Sequence, residues 1–182
     1  MKRNIGFLLC ISVSMLLAAE PEKSALPAPE VDRVGFPKRY QEEFQVLRTV
    51  NKTNEQKLVT IYGNKTAASV TNAAQLPYPN GSVIVMETAS VLKDVQGKPV
   101  VDPRGNFQKD KVSGLHVMRR EKDFGQAYAD SRAGEWEFAE YKPDGGYITP
   151  PEKSGTCAEC HVKATATWDF VYRGKVRDTA NK

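Results

Sequence analysis

The chain has 182 residues, of which 40% are hydrophobic and 26% charged, and its net charge is +4. This length suits one domain, or one domain with a small appendage, and the composition is that of a globular protein rather than a disordered one. The net charge is too small to indicate a nucleic-acid partner, so none is predicted. Two histidines and three cysteines are too few for a multi-histidine metal cluster or a four-cysteine zinc site.

The N-terminal residues have the pattern of an export signal. A basic start at residues 1–3 is followed by an almost wholly apolar run over residues 5–19, which is shorter than the roughly 20 apolar residues of a membrane span. We therefore predict a signal peptide over residues 1–19, a periplasmic location and no stable membrane insertion after cleavage, with an uncleaved anchor as the alternative. Residues 20–35 are polar and rich in proline, which predicts a flexible tether.

Residues 36–176 predict one mixed domain in which strand patterns dominate, followed by a tail over residues 177–182. Helices are predicted over residues 37–48, 66–75 and 123–131. Strands are predicted over residues 57–63, 82–92, 112–119, 135–141 and 168–173. Glycine, proline and aspartate recur between the second and third of these strands, so that segment is interpreted as a long hairpin connection.

The motif that carries chemistry lies near the carboxyl end. Cys157, Cys160 and His161 form a C-x-x-C-H sequence, the attachment pattern of c-type haem. Two thiols at this spacing can add to the two vinyl groups of one porphyrin, and the adjacent imidazole can ligate the iron. The motif therefore predicts one covalent haem c with His161 as an axial iron ligand.

Three alternatives compete with haem attachment. Cys157 and Cys160 could form a structural disulfide, which does not require His161. They could form a thioredoxin-like redox pair, although such a pair normally follows a strand and residues 150–155 are interpreted as a loop. They could also bind zinc together with His161 and His116. We favour haem, because attachment of haem c occurs outside the cytoplasm and the export signal supports the same location.

The position of the motif narrows the class of cytochrome. Small electron carriers place the motif near the mature N-terminus and a methionine ligand downstream, whereas no methionine follows His161 here. Four-helix-bundle cytochromes place the motif near the C-terminus, as here, but the strand patterns over residues 82–92, 112–119 and 135–141 argue against a four-helix bundle.

Several motifs together resemble the cytochrome P-460 family, which includes cytochrome c′-beta. They are the Tyr-Pro-Asn-Gly strand opening within residues 78–87, the Ser-Gly-Leu at residues 113–115, the strand that contains Trp136, and the haem motif followed by residues 168–171. The resemblance implies an α+β fold, mainly an antiparallel β-sheet with a few helices. It also implies one haem per chain, often in a homodimer, with a proximal His161 and an open site on the other side of the iron.

Met86 occupies the position that divides this family by function. Hydroxylamine-oxidising members carry there a lysine that is cross-linked to the porphyrin, and a thioether has no amine with which to form that bond. The resemblance therefore implies a protein closer to cytochrome c′-beta. We expect it to bind or redox-convert a small nitrogen-oxide ligand, nitric oxide first.

His116 follows the Ser-Gly-Leu motif, at the position where cross-linked members carry an acidic distal-pocket residue. Strand alternation places His116 on the face opposite Leu115 and Val117, which are better core residues. Three roles stay open for His116: a hydrogen-bond donor to a bound ligand, a second axial ligand, or a surface histidine.

The enzymatic status also stays open at this point. If His116, Met86 or Met118 ligates the iron, the protein would be a periplasmic electron-transfer cytochrome with a redox partner protein. A hydroxylamine-oxidising enzyme or a peroxidase is the remaining alternative.

Overall fold

The computed structural model describes residues 26–172 and builds them around one antiparallel sheet. Its six strands follow the chain order and each pairs with the next. The strands are β1 (Gln45–Lys52), β2 (Lys57–Gly63), β3 (Val83–Val91), β4 (Lys109–Arg120), β5 (Trp136–Tyr141) and β6 (Tyr147–Thr149). The predicted α+β class and antiparallel sheet are confirmed. The predicted signal peptide and C-terminal tail lie outside the described residues.

The helices are few and short. The α-helices are α1 (Tyr40–Glu43), α2 (Lys65–Ala68) and α3 (Gly155–Val162). Short 3₁₀ segments occupy Thr53–Glu55, Ala73–Gln75, Gln126–Ser131, Pro151–Lys153 and Ala166–Trp168. Among residues 26–172, no helix combines the length and the apolar character that crossing a membrane requires. Three short α-helices beside a six-stranded sheet are not a four-helix bundle, so the strand patterns indicated the architecture of the described residues correctly.

Four of the five predicted strands are confirmed as β2 to β5. The predicted helix over residues 37–48 is wrong beyond its first turn, because the chain continues as β1 from Gln45. β1 lies at the edge of the sheet, and its side chains Val46 and Leu47 are 58% and 40% exposed. Such an edge strand lacks the regular apolar alternation from which strands are recognised.

Three further predictions differ from the structure. Residues 168–173 do not form a strand as far as they are described: a 3₁₀ turn ends at Trp168, and Asp169 and Phe170 both adopt left-handed backbone conformations. The predicted helix over residues 66–75 is divided between α2 and a 3₁₀ turn that is capped by the side chain of Asn72. The predicted helix over residues 123–131 is the 3₁₀ segment Gln126–Ser131.

The two faces of the sheet are covered by different parts of the chain. On one face, Val85, Leu115, Val117 and Tyr141 are buried with Tyr40 of α1. The opposite face carries Ile84, Met118 and Phe138 in a second cluster, which includes Ala158 of α3. We call the second one the α3 face.

Residues 26–35 pack against the domain, and we call them the N-terminal strap. Asp32 accepts hydrogen bonds from the hydroxyl groups of Tyr141 and Tyr147, and Val34 is only 4% exposed. Arg33 forms an ion pair with the buried Glu137. These polar side chains therefore have specific partners in the domain, which the proline-rich composition of the predicted tether does not reveal.

Candidate haem-binding site

A cavity of about 430 Å³ opens between α3 and the sheet and brings the predicted site residues together. Cys157, Cys160 and His161 line it from α3, and Met86 and His116 line it from β3 and β4. Ile61, Ile84, Phe138 and Val171 supply apolar walls. This volume lies in the range of cofactor and ligand pockets.

The geometry of α3 places the motif side chains on one side of the helix. Cys157 lies three and four residues before Cys160 and His161, which is the spacing of neighbours on a helical surface. The helix begins at Gly155, where an added Cβ atom would lie 2.6 Å from the Cβ atom of Leu26. Glycine at this position therefore allows the strap to pack against the start of the helix.

Both motif cysteines are free thiols in the structure. Burial raises the pKa of the Cys157 thiol to about 11, so the unreacted thiol is protonated at neutral pH. Within residues 26–172, no group of three or more histidine, cysteine or acidic side chains is arranged to bind a metal. The zinc alternative, which requires His116 to join the motif residues, therefore has no geometric support in the described part of the chain.

The imidazole of His161 is fixed by one hydrogen bond and two aromatic neighbours. Its Nδ1 atom lies 2.7 Å from the carbonyl oxygen of Phe170. Its ring lies 4.5 Å from that of Phe138 and 5.5 Å from that of Tyr172, centroid to centroid. Because a carbonyl oxygen only accepts, Nδ1 carries the proton and Nε2 keeps its lone pair. Burial lowers the pKa of His161, which further favours the neutral ring that ligates metals.

The carbonyl group of Phe170 is positioned by the preceding Asp169. The Asp169 carboxylate accepts a hydrogen bond from the backbone N–H of Tyr78 at 2.9 Å. The backbone carbonyl oxygen of Asp169 accepts a second one from Trp136 Nε1, also at 2.9 Å. Left-handed conformations at Asp169 and Phe170 turn the chain back toward α3. Sequence reasoning missed this role, since it assigned these residues to a strand.

Met86 and His116 are cross-strand partners on the α3 face of the sheet. The alternation predicted for β4 is confirmed, because Leu115 and Val117 are buried on the other face at 1% and 2% exposure. The His116 side chain is 49% exposed and lines both the cavity beside α3, which we call the haem cavity because the C-x-x-C-H motif lines it, and an adjoining cavity of about 370 Å³. Met86 also lines both cavities.

Glu140 is the residue of this site that sequence reasoning missed. It lies on β5 directly opposite His116, and its Oε1 atom is 2.5 Å from Nδ1 of that histidine. The hydrogen bond from His116 lowers the pKa of Glu140 despite partial burial, and Thr149 donates a second hydrogen bond to the same carboxylate. The alternation in β5 predicted a half-buried strand. The register between β4 and β5, which determines the pairing, has no signal in the sequence.

The donor set and the lining of the cavity fit a haem. Two thiols can form thioether bonds, the imidazole of His161 offers a free Nε2, and the surrounding walls are largely apolar. The family model of cytochrome P460 matches residues 37–173. Among curated proteins, none matches this chain. The chain therefore belongs to the cytochrome P460 family, which implies haem as its cofactor.

Proposed function

We propose that this protein is an exported cytochrome with one covalent haem c per chain. Cys157 and Cys160 would form the thioether bonds, and His161 would ligate the iron through Nε2. The observation that carries the proposal is that both thiols and this oriented imidazole line one apolar cavity. When bound, haem supplies reversible ligand binding and one-electron chemistry at its iron.

We further propose that the site binds a small nitrogen-oxide ligand, nitric oxide first. The cavity walls contributed by Ile61, Ile84 and Phe138 are apolar, and Glu140 is the only acidic side chain among the described lining residues. Such a lining favours a small uncharged ligand over an anion. Met86 at the family's cross-link position lacks an amine, which argues against the hydroxylamine-oxidising alternative.

A second candidate function is electron transfer with a second axial ligand. One observation favours it: each described histidine, His116 and His161, has its Nδ1 atom beside an oxygen acceptor, which is the arrangement of metal-ligating imidazoles. In that case His116 would complete the coordination of the iron, and the protein would serve a redox partner protein.

Spectroscopy of the purified holoprotein tests the first candidate against the second. The full chain is produced in a host that exports proteins and attaches haem c, and its oxidised and reduced forms are titrated with nitric oxide. A five-coordinate resting spectrum that changes with nitric oxide supports ligand binding. A six-coordinate spectrum that does not respond contradicts it.

Two matched variants then identify any second ligand. Conversion of a six-coordinate spectrum to a five-coordinate one by His116→Leu, but not by Met86→Leu, would establish histidine ligation, and the reverse would establish methionine ligation. If neither substitution changes the resting spectrum, electron transfer through a second ligand from these residues is contradicted.

Both candidate functions include export and a homodimer, whereas a redox partner protein belongs to the electron-transfer candidate. The mass of the protein recovered from the periplasm tests cleavage of the predicted signal peptide, since only the cleaved chain lacks residues 1–19. Size-exclusion chromatography with light scattering distinguishes a dimer from a monomer.

A further inference from the structure

We propose that Glu140 is a positioning residue. Its carboxylate orients the imidazole of His116 through a hydrogen bond from Nδ1, so that Nε2 exchanges protons with protic ligands in the cavity. The inference rests on the proposed ligand-binding function and names the ligand class that depends on this pair. That class comprises small molecules that lose a proton when they bind, such as hydrogen cyanide or hydrogen peroxide.

The pairing is built into the register of three strands. His116 on β4 lies opposite Glu140 on β5, which in turn lies opposite Thr149 on β6. One carboxylate oxygen of Glu140 is 2.5 Å from His116 Nδ1, and the other accepts a hydrogen bond from Thr149 Oγ1 at 2.5 Å. Both oxygens are therefore engaged, and the carboxylate is restrained from both sides.

Glu140 is shielded more than the histidine that it contacts. Its side chain is 18% exposed, whereas that of His116 is 49% exposed. Both residues line the haem cavity, and His116 also lines the adjoining cavity. The imidazole thus stands where a ligand can reach it, with a partly buried anion behind it.

This arrangement assigns different tasks to the two imidazole nitrogens. The Glu140 carboxylate has a lowered pKa and is ionised at neutral pH, so it can only accept and Nδ1 must donate. Nε2 is then the nitrogen that gains or loses a proton. When a protic ligand enters, its bond to hydrogen breaks, the proton goes to Nε2 and the electron pair stays on the ligand.

Nitric oxide carries no proton and gains nothing from such a base. The inference therefore separates two kinds of ligand at one site. The binding of protic ligands should depend on both His116 and Glu140, whereas the binding of nitric oxide should depend on them weakly.

The test is the association rate of cyanide with the oxidised holoprotein at neutral pH, where hydrogen cyanide predominates. It is measured for the wild type and for His116→Leu, Glu140→Leu, Glu140→Gln and the double variant His116→Leu/Glu140→Leu. Glu121→Gln, in a surface ion pair with Arg119, is the matched control for a lost carboxylate. Nitric oxide association with the reduced form is measured in parallel.

We expect Glu140→Leu to slow cyanide association by about 10–100-fold, less than the roughly 100–10,000-fold that a complete general base contributes, because the imidazole of His116 is still present. Glu140→Gln should remain close to wild type, because its side-chain oxygen still accepts from Nδ1. The double variant should match His116→Leu, since Glu140 acts through the histidine. If Glu140→Leu fails to fold, Thr149→Val loosens the same carboxylate and should slow cyanide association to a smaller extent.

Three results would overturn the inference: a wild-type rate in Glu140→Leu, an equal loss in Glu140→Gln and Glu140→Leu, or additive losses in the double variant. These results are distinct from failure of the proposed function. If cyanide association depends on His116 and Glu140 as expected but nitric oxide does not bind, the role of the pair is supported and the nitric-oxide proposal is contradicted. A wild type that binds neither ligand would contradict both.

Discussion

Nδ1 of His161 lies 2.7 Å from the carbonyl oxygen of Phe170, nine residues further along the chain. The contact joins the last turn of α3 to the loop that follows it, and two successive left-handed residues bring the carbonyl group into place. The orientation of the imidazole therefore depends on the loop as well as on the helix that carries it.

Asp169 should stabilise this loop and, through it, the orientation of His161. Replacement by alanine removes the acceptor for the buried N–H of Tyr78 and the carboxylate that lies 3.5 Å from Arg120. We expect Asp169→Ala to lower the free energy of unfolding by about 1–3 kcal/mol, measured by denaturant titration of the holoprotein.

Asp169→Asn should cost less than the alanine variant, because asparagine keeps an acceptor and tolerates the left-handed conformation. Asp130→Ala, at an exposed aspartate, is the control and should be nearly neutral. Equal stability of Asp169→Ala and wild type would contradict the structural role of this carboxylate.

Asp32 should make the attachment of the N-terminal strap dependent on pH. Burial alone would raise its pKa, but hydrogen bonds from the backbone of Gly35 and from the hydroxyl groups of Tyr141 and Tyr147 hold it below the ordinary 3.8. A carboxylate whose pKa is lower in the folded than in the unfolded state stabilises the protein when the pH is above the pKa of the unfolded state. It loses this contribution as the pH falls through the pKa of the folded state.

The free energy of unfolding of wild type should therefore exceed that of Asp32→Asn at neutral pH. The difference should shrink as the pH falls below 3.8. Asp130→Asn should show no such convergence. A difference that stays constant down to strongly acidic pH would show that the charge of Asp32 does not stabilise the strap.

Tyr40 should contribute to stability through the buried Glu87. The hydroxyl group of Tyr40 donates to this carboxylate, which is 1% exposed and also accepts from Lys109 Nζ at 3.0 Å. Burial and the nearby carboxylate raise the pKa of Tyr40, so the hydroxyl group keeps its proton.

Tyr40→Phe should therefore lower the free energy of unfolding by about 1.5–3 kcal/mol, the contribution typical of hydrogen bonds to charged groups. Tyr147→Phe removes a hydroxyl group that also donates to a carboxylate, at the more exposed Asp32, and should cost less. A larger loss of stability in Tyr147→Phe than in Tyr40→Phe would contradict the expectation that the more buried hydrogen bond contributes more.

Met86→Lys tests the assignment of Met86 to the family's cross-link position. A lysine there would place an amine in the cavity lining, beside the motif residues of α3. We expect mass spectrometry of the digested holoprotein to show a β3 peptide joined to the haem peptide, a species absent from wild type and from Met86→Leu. A lysine variant with thioether bonds alone would contradict the assignment.

The central sheet was predictable where local patterns are strong. β2 and β3 are apolar and β-branched, and β5 alternates charged and aromatic residues. β1 and β6 escaped prediction because both are sheet edges with largely exposed side chains. The strand predicted over residues 168–173 is wrong because Asp169 and Phe170, within this aromatic run, adopt left-handed conformations and turn the chain.

The site was predictable to the extent that its chemistry is written in a motif. Cys157, Cys160 and His161 lie together because they fall within five consecutive residues of one helix. Strand alternation placed His116 on the correct face of the sheet. The partners of the two histidines were not predictable. Glu140 depends on strand register, and the carbonyl of Phe170 depends on the path of a loop.

Mass and absorption spectra of the purified holoprotein test whether haem is attached covalently at Cys157 and Cys160. We expect a red protein whose mass exceeds that of its polypeptide by one haem, which is retained after denaturation and lost in Cys157→Ala/Cys160→Ala. It also predicts that the reduced spectrum changes when nitric oxide is added. A colourless protein, or one whose haem is extracted by denaturation, would contradict covalent attachment at this site.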